Sequence, residues 1–424
     1  MNSSMTRFSF TTLLAFTSYI NAAILPSSIS EGSIALDVNH THSNNIQKSS
    51  SDQAVGYEQY AELRLGYKNQ TTTNTSLINY GITYSHYSEK ELENESDISG
   101  SLSINQQLFS KNLQLDLTHF RHSYRLDQNS VNLPGNTGSR DVFTVSPLWR
   151  LPYSDRAGFN TRYTYTAVRL RDDRQQDTNR NGLSIAWYYA LNSKITYQLN
   201  TQYNEVDYLA DDLTYEQINV DISLSGRLRN GHYLINAGYS RLALLERYED
   251  GGIFQFTYNY RFKTHTLSVS ALRELTDSSL GLGIDTPDSG DLDYNGTQRI
   301  WIDRVSLDHS FFAINGRLIN NNTAYYQQDT PLMTREAEPR VGISTAVHWK
   351  HTHKLTTGLQ VEYSQTQIDK DTDNQEWSAS LSSEYRLNPR LAFSLTTQYE
   401  EPLKNEYLSG YDETRLTATV HFSY

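Results

Sequence analysis

The chain has 424 residues, of which 37% are hydrophobic, 20% charged and 12% aromatic, with 31 Tyr, 9 Pro, 22 Gly and a net charge of −12. Its aromatic content and sparse Pro exclude a disordered chain, which lacks the apolar material to order itself. The lack of Cys excludes a disulfide framework and a lipoprotein attachment point, and no basic patch with interleaved aromatics points to nucleic acid.

The first element is a secretory signal. Arg7 supplies its positive region, Phe8 to Ile20 its apolar stretch, and Ala22-Ala23 a small-residue cleavage point. That stretch is too short to span a bilayer as a helix, and no later run is long enough. Residues 1–23 are therefore read as a signal peptide and residues 24–424 as one mature domain.

From about residue 33 onward one pattern repeats, with apolar or aromatic residues at every second position and small or polar ones between. Tyr163, Tyr165 and Ala167 alternate with Arg162, Thr164 and Thr166. Ile218, Val220, Ile222 and Leu224 alternate with Asn219, Asp221 and Ser223, and Phe254 to Phe262 follow the same rule. No helical period competes, so the chain is predicted to be all-β.

Connections alternate as well. Tight links are expected at Phe109 to Asn112, Pro152 to Asp155, Asn192 to Lys194, Arg229 to His232, Lys263-Thr264, Lys350 to Lys354 and Asn388 to Arg390. Long polar connections are expected between them, among them Asp127 to Asp141, Tyr208 to Thr214, Leu245 to Gly252, Thr276 to Thr297 and Thr366 to Glu376. Strict short–long alternation puts every tight turn on one rim and every long loop on the other, as in outer-membrane barrels. A hydrocarbon layer offers no water to free backbone groups, so an exported β-protein crosses it only as a closed sheet. Strands of these lengths suit a tilted crossing. Tyr57, Tyr67, Tyr84, Trp149, Trp349, Tyr363, Trp377 and Tyr385 fall where interfacial girdles belong. The reading is a single transmembrane antiparallel β-barrel of about 20 strands with both termini on the tight-turn rim. The last run, Leu416 to Tyr424, ends on an aromatic residue, which resembles the terminal strand read by the barrel-assembly machinery. A soluble propeller or sandwich also alternates, but its loops need not segregate by length, and no fixed repeat period supports a solenoid.

Chemistry, if present, belongs on the inward face. The register places Glu62, Asp116, Asp221, Glu362 and Glu384 there, with Arg64, Arg162, Arg227, Arg261, Arg386 and Arg415. The signs nearly cancel, and Ser, Thr, Asn, Gln and Gly fill the rest, a lining suited to water and sugars. No enzyme motif stands out. His40 with His42, and His351 with His353, share a face at i, i+2, but Lys350 and Lys354 flank the second pair. Asp308-His309-Ser310 holds hydrolase residue types, yet strand neighbours alternate faces. Asp291, Asp293 and Asn295 with Gly296 match the first half of a calcium loop, but Ile302 stands at the closing position. No cofactor is expected, and catalysis is not.

Ser43-Asn44-Asn45-Ile46 after an early strand, Tyr-rich strands, and Ser146-Pro147-Leu148-Trp149 resemble outer-membrane barrels of the porin 2 type, which accompany exopolysaccharide loci. The resemblance spans the mature chain and is mostly architectural. It implies a passive conduit and carries no catalytic residues. The expected function is a porin-like conduit for small hydrophilic solutes or exported polysaccharide in a Gram-negative outer membrane. A non-conducting scaffold or adhesin acting through acidic loops, and an outer-membrane hydrolase, are the alternatives. Expected partners are outer-membrane lipid and lipopolysaccharide, the assembly machinery, and exopolysaccharide or export-complex proteins.

Overall fold

In the computed structural model the described residues are 29–49, 53–90, 92–108, 111–125, 137–171, 177–209, 213–244, 247–277, 299–332, 337–369, 372–402 and 411–424. The signal segment and the Asp291, Asp293, Asn295 calcium motif lie outside them. Twenty strands follow one another: β1 Ile29–Ser43, β2 Gly56–Gln70, β3 Asn74–Tyr87, β4 Glu95–Leu108, β5 Leu113–Arg125, β6 Thr137–Pro152 and β7 Ala157–Leu170. Next come β8 Thr178–Ala190, β9 Ile195–Tyr208, β10 Leu213–Leu228, β11 Gly231–Leu244, β12 Arg247–Arg261, β13 His265–Asp277 and β14 Arg299–Ala313. The last are β15 Leu318–Pro331, β16 Glu338–Lys350, β17 Leu355–Asp369, β18 Thr372–Asn388, β19 Leu391–Pro402 and β20 Glu413–Ser423. Each strand pairs antiparallel with its successor, and β1 pairs with β20, so the sheet closes into a barrel without an edge.

The period-two pattern becomes two faces. Leu63 and Leu65, Ile218 to Ile222, Ile343, Leu381 and Leu395 are exposed, and they stand on the outside of the wall. A soluble protein does not leave so much contiguous apolar surface uncovered; lipid covers it in a membrane barrel. Exposed aromatics band this face: Tyr57, Tyr84, Tyr248 and Trp377 toward the loop rim, Trp149, Tyr197, Trp349 and Tyr385 toward the tight-turn rim. Tyr363 and Trp377 meet across β17 and β18 with ring centroids 4.6 Å apart. Where polar side chains fall on the outer face they bond one another. His265 and His309 share a 3.0 Å hydrogen bond, Thr345 Oγ1 donates to Asn322 Oδ1 at 2.8 Å, and Asn322 Nδ2 donates to Asn320 Oδ1 at 2.6 Å.

The two faces give a paired test. Leu381 and Ser380 are neighbours in β18, with Leu381 59% exposed on the outer face. Arg at Leu381 is expected to destabilise the folded barrel in lipid vesicles by about 2–4 kcal/mol, whereas Arg at Ser380, on the inner face, is tolerated. Denaturant titration of the two variants checks this.

All nine connections on the tight-turn rim are short, from Thr71–Thr73 through Pro389-Arg390. On the other rim the expected loops need correction. Only residues 245–246 separate β11 from β12, and only 370–371 separate β17 from β18. Most of Leu245 to Gly252 and Thr366 to Glu376 is strand. Above the lipid the apolar face is no longer required, but the ladder hydrogen bonds are, so polar sequence there remains paired.

Candidate functional site

The barrel interior is the candidate site, and alternation builds it. Wherever an odd or even series meets lipid, the other series of the same strand lines the lumen. Ten of the eleven charged residues expected on the inner face alternate with exposed apolar residues of their strands, and Asp116 alternates with half-buried Leu115 and Leu117. Three pairs among them come together. Arg64 Nε donates to Glu62 Oε1 at 2.7 Å, Arg162 Nη1 stands 3.5 Å from Asp116 Oδ2, and Arg386 Nε donates to Glu384 Oε1 at 3.0 Å. Asp221 instead accepts from Asn200 Nδ2 at 2.6 Å, and Glu362 lies elsewhere on the wall, on β17. Arg227 and Arg261 stand just inside the tight-turn rim, exposed to the lumen.

Around Arg64 the network extends to residues the sequence reading passed over. Its Nη2 donates to Asp37 Oδ2 at 2.8 Å, Asp37 also bonds His421 Nδ1, and Tyr60 Oη donates to Glu62 Oε2 at 3.1 Å. This cluster of two acids, an Arg and a His crosses β20, β1 and β2 at the seam where the chain's ends meet. Asp116 likewise accepts from Asn105 Nδ2 at 2.6 Å and Gln114 Nε2 at 2.8 Å. Such paired charges and amides stabilise one another while leaving a hydrogen-bonding surface in a wet lumen. Beside the seam at the tight-turn end, a cavity of about 960 Å³ is lined in part by Glu31, Lys68, Asn79, Ser101 and Arg390.

The loop-side mouth is narrowed from opposite sides. Residues 44–49 tuck inward between β1 and β20: Ile46 lies 2.8 Å from where a Cβ on inward-facing Gly56 would stand. Lys48 Nζ reaches Glu400 Oε1 at 3.4 Å, Tyr411 Oη donates to the same oxygen at 2.5 Å, and Arg415 pairs with Glu413 at 2.5 Å and Glu400 at 3.6 Å. Across the barrel, β12 and β13 separate beyond the Phe254–Arg273 pair, while β13 and β14 stay paired out to Asp277–Arg299. The freed end of that hairpin bends inside. Trp301 and Leu275 pack with Val206, Tyr208, Tyr215 and Leu242 on the inner wall, and Gln217 Nε2 donates to the Leu275 carbonyl at 2.8 Å. The Trp301 ring lies 2.8 Å from the position of a Cβ on Gly251, so only glycine admits it.

Titration bears on the tucked loop. Burial holds the Lys48 ammonium below its ordinary value of 10.5 even beside Glu400, and burial, then Glu400, push the Tyr411 phenol above 10.0. A released loop titrates at the ordinary values. Between the depressed Lys48 value and 10.5 the tucked loop binds fewer protons than the released one, so rising pH favours tucking. Above 10 the tucked loop retains a Tyr411 proton that the released loop loses, so rising pH opposes tucking. In Tyr411→Phe, alkaline pH is therefore expected to immobilise a spin label at Ala54; in Lys48→Met it is expected to mobilise it.

Other sequence candidates separate. Asp308 accepts from Thr323 Oγ1 at 2.9 Å on the inner face, while His309 pairs with His265 outside, so the Asp308-His309-Ser310 trio is not assembled. His40 and His42 lie on the outer face, His40 against Tyr57 at 5.5 Å. His351 stacks on Trp349 at 5.1 Å. Among the described residues no three His, Asp or Glu are grouped to hold a metal.

Compared with known protein families and with curated proteins, the sequence matches none. Its fold does match solved structures. The FrpB iron transporter from Neisseria meningitidis aligns over 93% of this chain and 83% of that one, with 10% identity and a TM-score of 0.50. A mutant of the ferric enterobactin receptor PfeA from Pseudomonas aeruginosa aligns over 95% and 81%, with 8% identity and a TM-score of 0.52. The outer membrane protein opdK from Pseudomonas aeruginosa aligns over 93% and 99% at 12% identity, with a lower TM-score of 0.39. What the first two share with this chain is the fold, the closed antiparallel barrel.

Proposed function

We propose that this chain is an outer-membrane barrel serving as a polar conduit for small hydrophilic solutes or exported polysaccharide, without enzymatic activity. One observation carries the reading: the wall presents exposed apolar side chains outward and a lining of paired charges and amides inward. Arg64 with Asp37 and Glu62 near mid-height, and Asp116 with Arg162 nearer the tight-turn rim, leave little net charge along the lining, which favours weakly selective passage. The eleven inward charges named from the sequence are the pore lining in this reading. Residues 1–23 direct export, outer-membrane lipid and lipopolysaccharide surround the barrel, and the assembly machinery inserts it. The porin 2 resemblance favours exopolysaccharide or an export complex as the partner. The fold-level relatives carry names of a transporter and a receptor, which agrees with transport but does not extend their ligands to this chain.

A second reading, a non-conducting scaffold acting through its loops, is favoured by the inward-bent β13–β14 hairpin. Single-channel recording of the refolded protein in a planar bilayer separates them. Large, weakly selective steps interrupted by neutral oligosaccharide support the conduit. Silence from a folded, heat-modifiable barrel transfers the function to the loops.

A further inference from the structure

The barrel is electrically polarised from rim to rim. Lys111, Arg156, Lys194, Arg229, Lys263 and Arg317 stand one in each of six consecutive tight turns, β4–β5 through β14–β15. Lys354 and Arg390 occupy the two turns that follow, leaving β2–β3 as the tight turn without a base, and Asp155 is the acid among these turns. The turn bases are exposed, except for the half-buried Lys354; Arg390 lies against the Tyr424 ring at 4.6 Å. The basic tier continues one step into the lumen, on the inward face, at Arg227, Arg261 and Lys350.

The loop rim is the reverse. Among the described residues, several of its bases are paired with acids, as Arg340 near Asp329 at 3.8 Å, Arg169 near Asp177 at 3.8 Å and Arg415 on Glu413. The connecting sequences there are rich in acid, including Glu89 to Asp97 and Asp285 to Asp293.

Successive hairpins set turn charges about 10 Å apart across the strands, and strand tilt stretches that to roughly 13 Å around the rim. The screening length is about 10 Å at 0.1 M salt. Neighbouring charges therefore overlap into one continuous positive ring at moderate ionic strength and separate into isolated points at high salt. A ring with a second basic tier inside it raises the local concentration of anions at the opening itself. A flat docking patch for an acidic protein would not require the inner tier.

We propose that the tight-turn rim is a cation-ringed entrance that gathers an anionic chain as cargo for passage toward the acidic loop rim. This rests on the conduit reading and assigns its cargo a charge and a direction.

The test uses the full mature barrel in a planar bilayer with Thr72→Cys as its one thiol, so that a bulky maleimide reports which compartment faces the tight turns. Oligogalacturonate is added to either side, with maltodextrin of equal length as the neutral control. Oligogalacturonate is expected to interrupt the current at about tenfold lower concentration from the tight-turn side at 0.1 M salt, and with little sidedness at 1 M. Lys111→Glu, Arg229→Glu and Lys263→Glu together are expected to abolish the sidedness while small-ion steps persist. Equal potency from both sides, sidedness surviving in the triple variant, or binding that leaves the current uninterrupted overturns the inference while the conduit stands. Absence of any ion current from the folded barrel instead removes the conduit reading itself.

Discussion

Trp301→Ala is expected to give larger and noisier conductance steps than the parent barrel. The indole ties the free end of the β13–β14 hairpin to the inner wall through Tyr208, Tyr215 and Leu242, and it occupies the space that Gly251 leaves bare. Truncating a buried indole costs about 3–5 kcal/mol. Here that loss falls on a segment whose hydrogen bonds to β12 have already ended at Phe254, so the hairpin should move before the barrel unfolds. Gly251→Val should act the same way from the opposite side of the contact, by expelling the ring. Trp349→Ala removes an indole of the outer girdle, 46% exposed, and should leave step size unchanged. Identical conductance in the Trp301 and Trp349 variants would show that the hairpin does not limit the mouth.

The second large effect is on ion selectivity. Arg64 is the cation between Asp37 and Glu62, at 2.8 and 2.7 Å, and its side chain is 47% exposed to the lumen. In Arg64→Ala both carboxylates remain, with the His421 imidazole the nearest group able to offset Asp37. The permeability ratio of potassium to chloride should rise about threefold at low salt and return toward the parent value at high salt. Arg64→Lys, which keeps the charge but not the forked geometry, should hold the parent ratio. A reversal potential unmoved by Arg64→Ala would place the selectivity-determining region elsewhere along the lumen.

Much of this architecture is legible because a β-strand converts sequence parity directly into inside and outside. Leu63 between Glu62 and Arg64 is enough to place three side chains once lipid is assumed on one face. The same rule finds Asp37, which lies between exposed Leu36 and Val38, and His421, between exposed Val420 and Phe422; what parity does not record is that the closing ladder sets β20 beside β1 and brings the two side chains together. Two kinds of information are not local. Above the membrane the apolar series disappears while the ladder continues, so Leu245 to Gly252 reads as loop although β12 begins at Arg247. Trp301 is the opposite case. Its parity reads outward, and its strand does keep that parity, but the separation of β12 from β13 carries the outward side of the hairpin against the inner wall. No spacing within residues 299–303 records that separation, because it is set by partners some 50 to 95 residues earlier, from Gly251 back to Val206.

The pairing of β1 with β20 also dictates an order of assembly. Ile34 and Tyr424 exchange hydrogen bonds at 3.0 and 2.8 Å, and Leu36 stands opposite Phe422, whereas every other ladder joins strands adjacent in the chain. Each adjacent hairpin can form with little loop entropy at stake, but the closing ladder must bring together the most distant segments of the barrel. It is therefore the last to form, and until it does the growing sheet exposes two unpaired edges that invite pairing with other chains. A barrel built this way passes from aggregation-prone ribbon to edgeless cylinder in one step, so the kinetics of that single seam govern the yield of the whole fold.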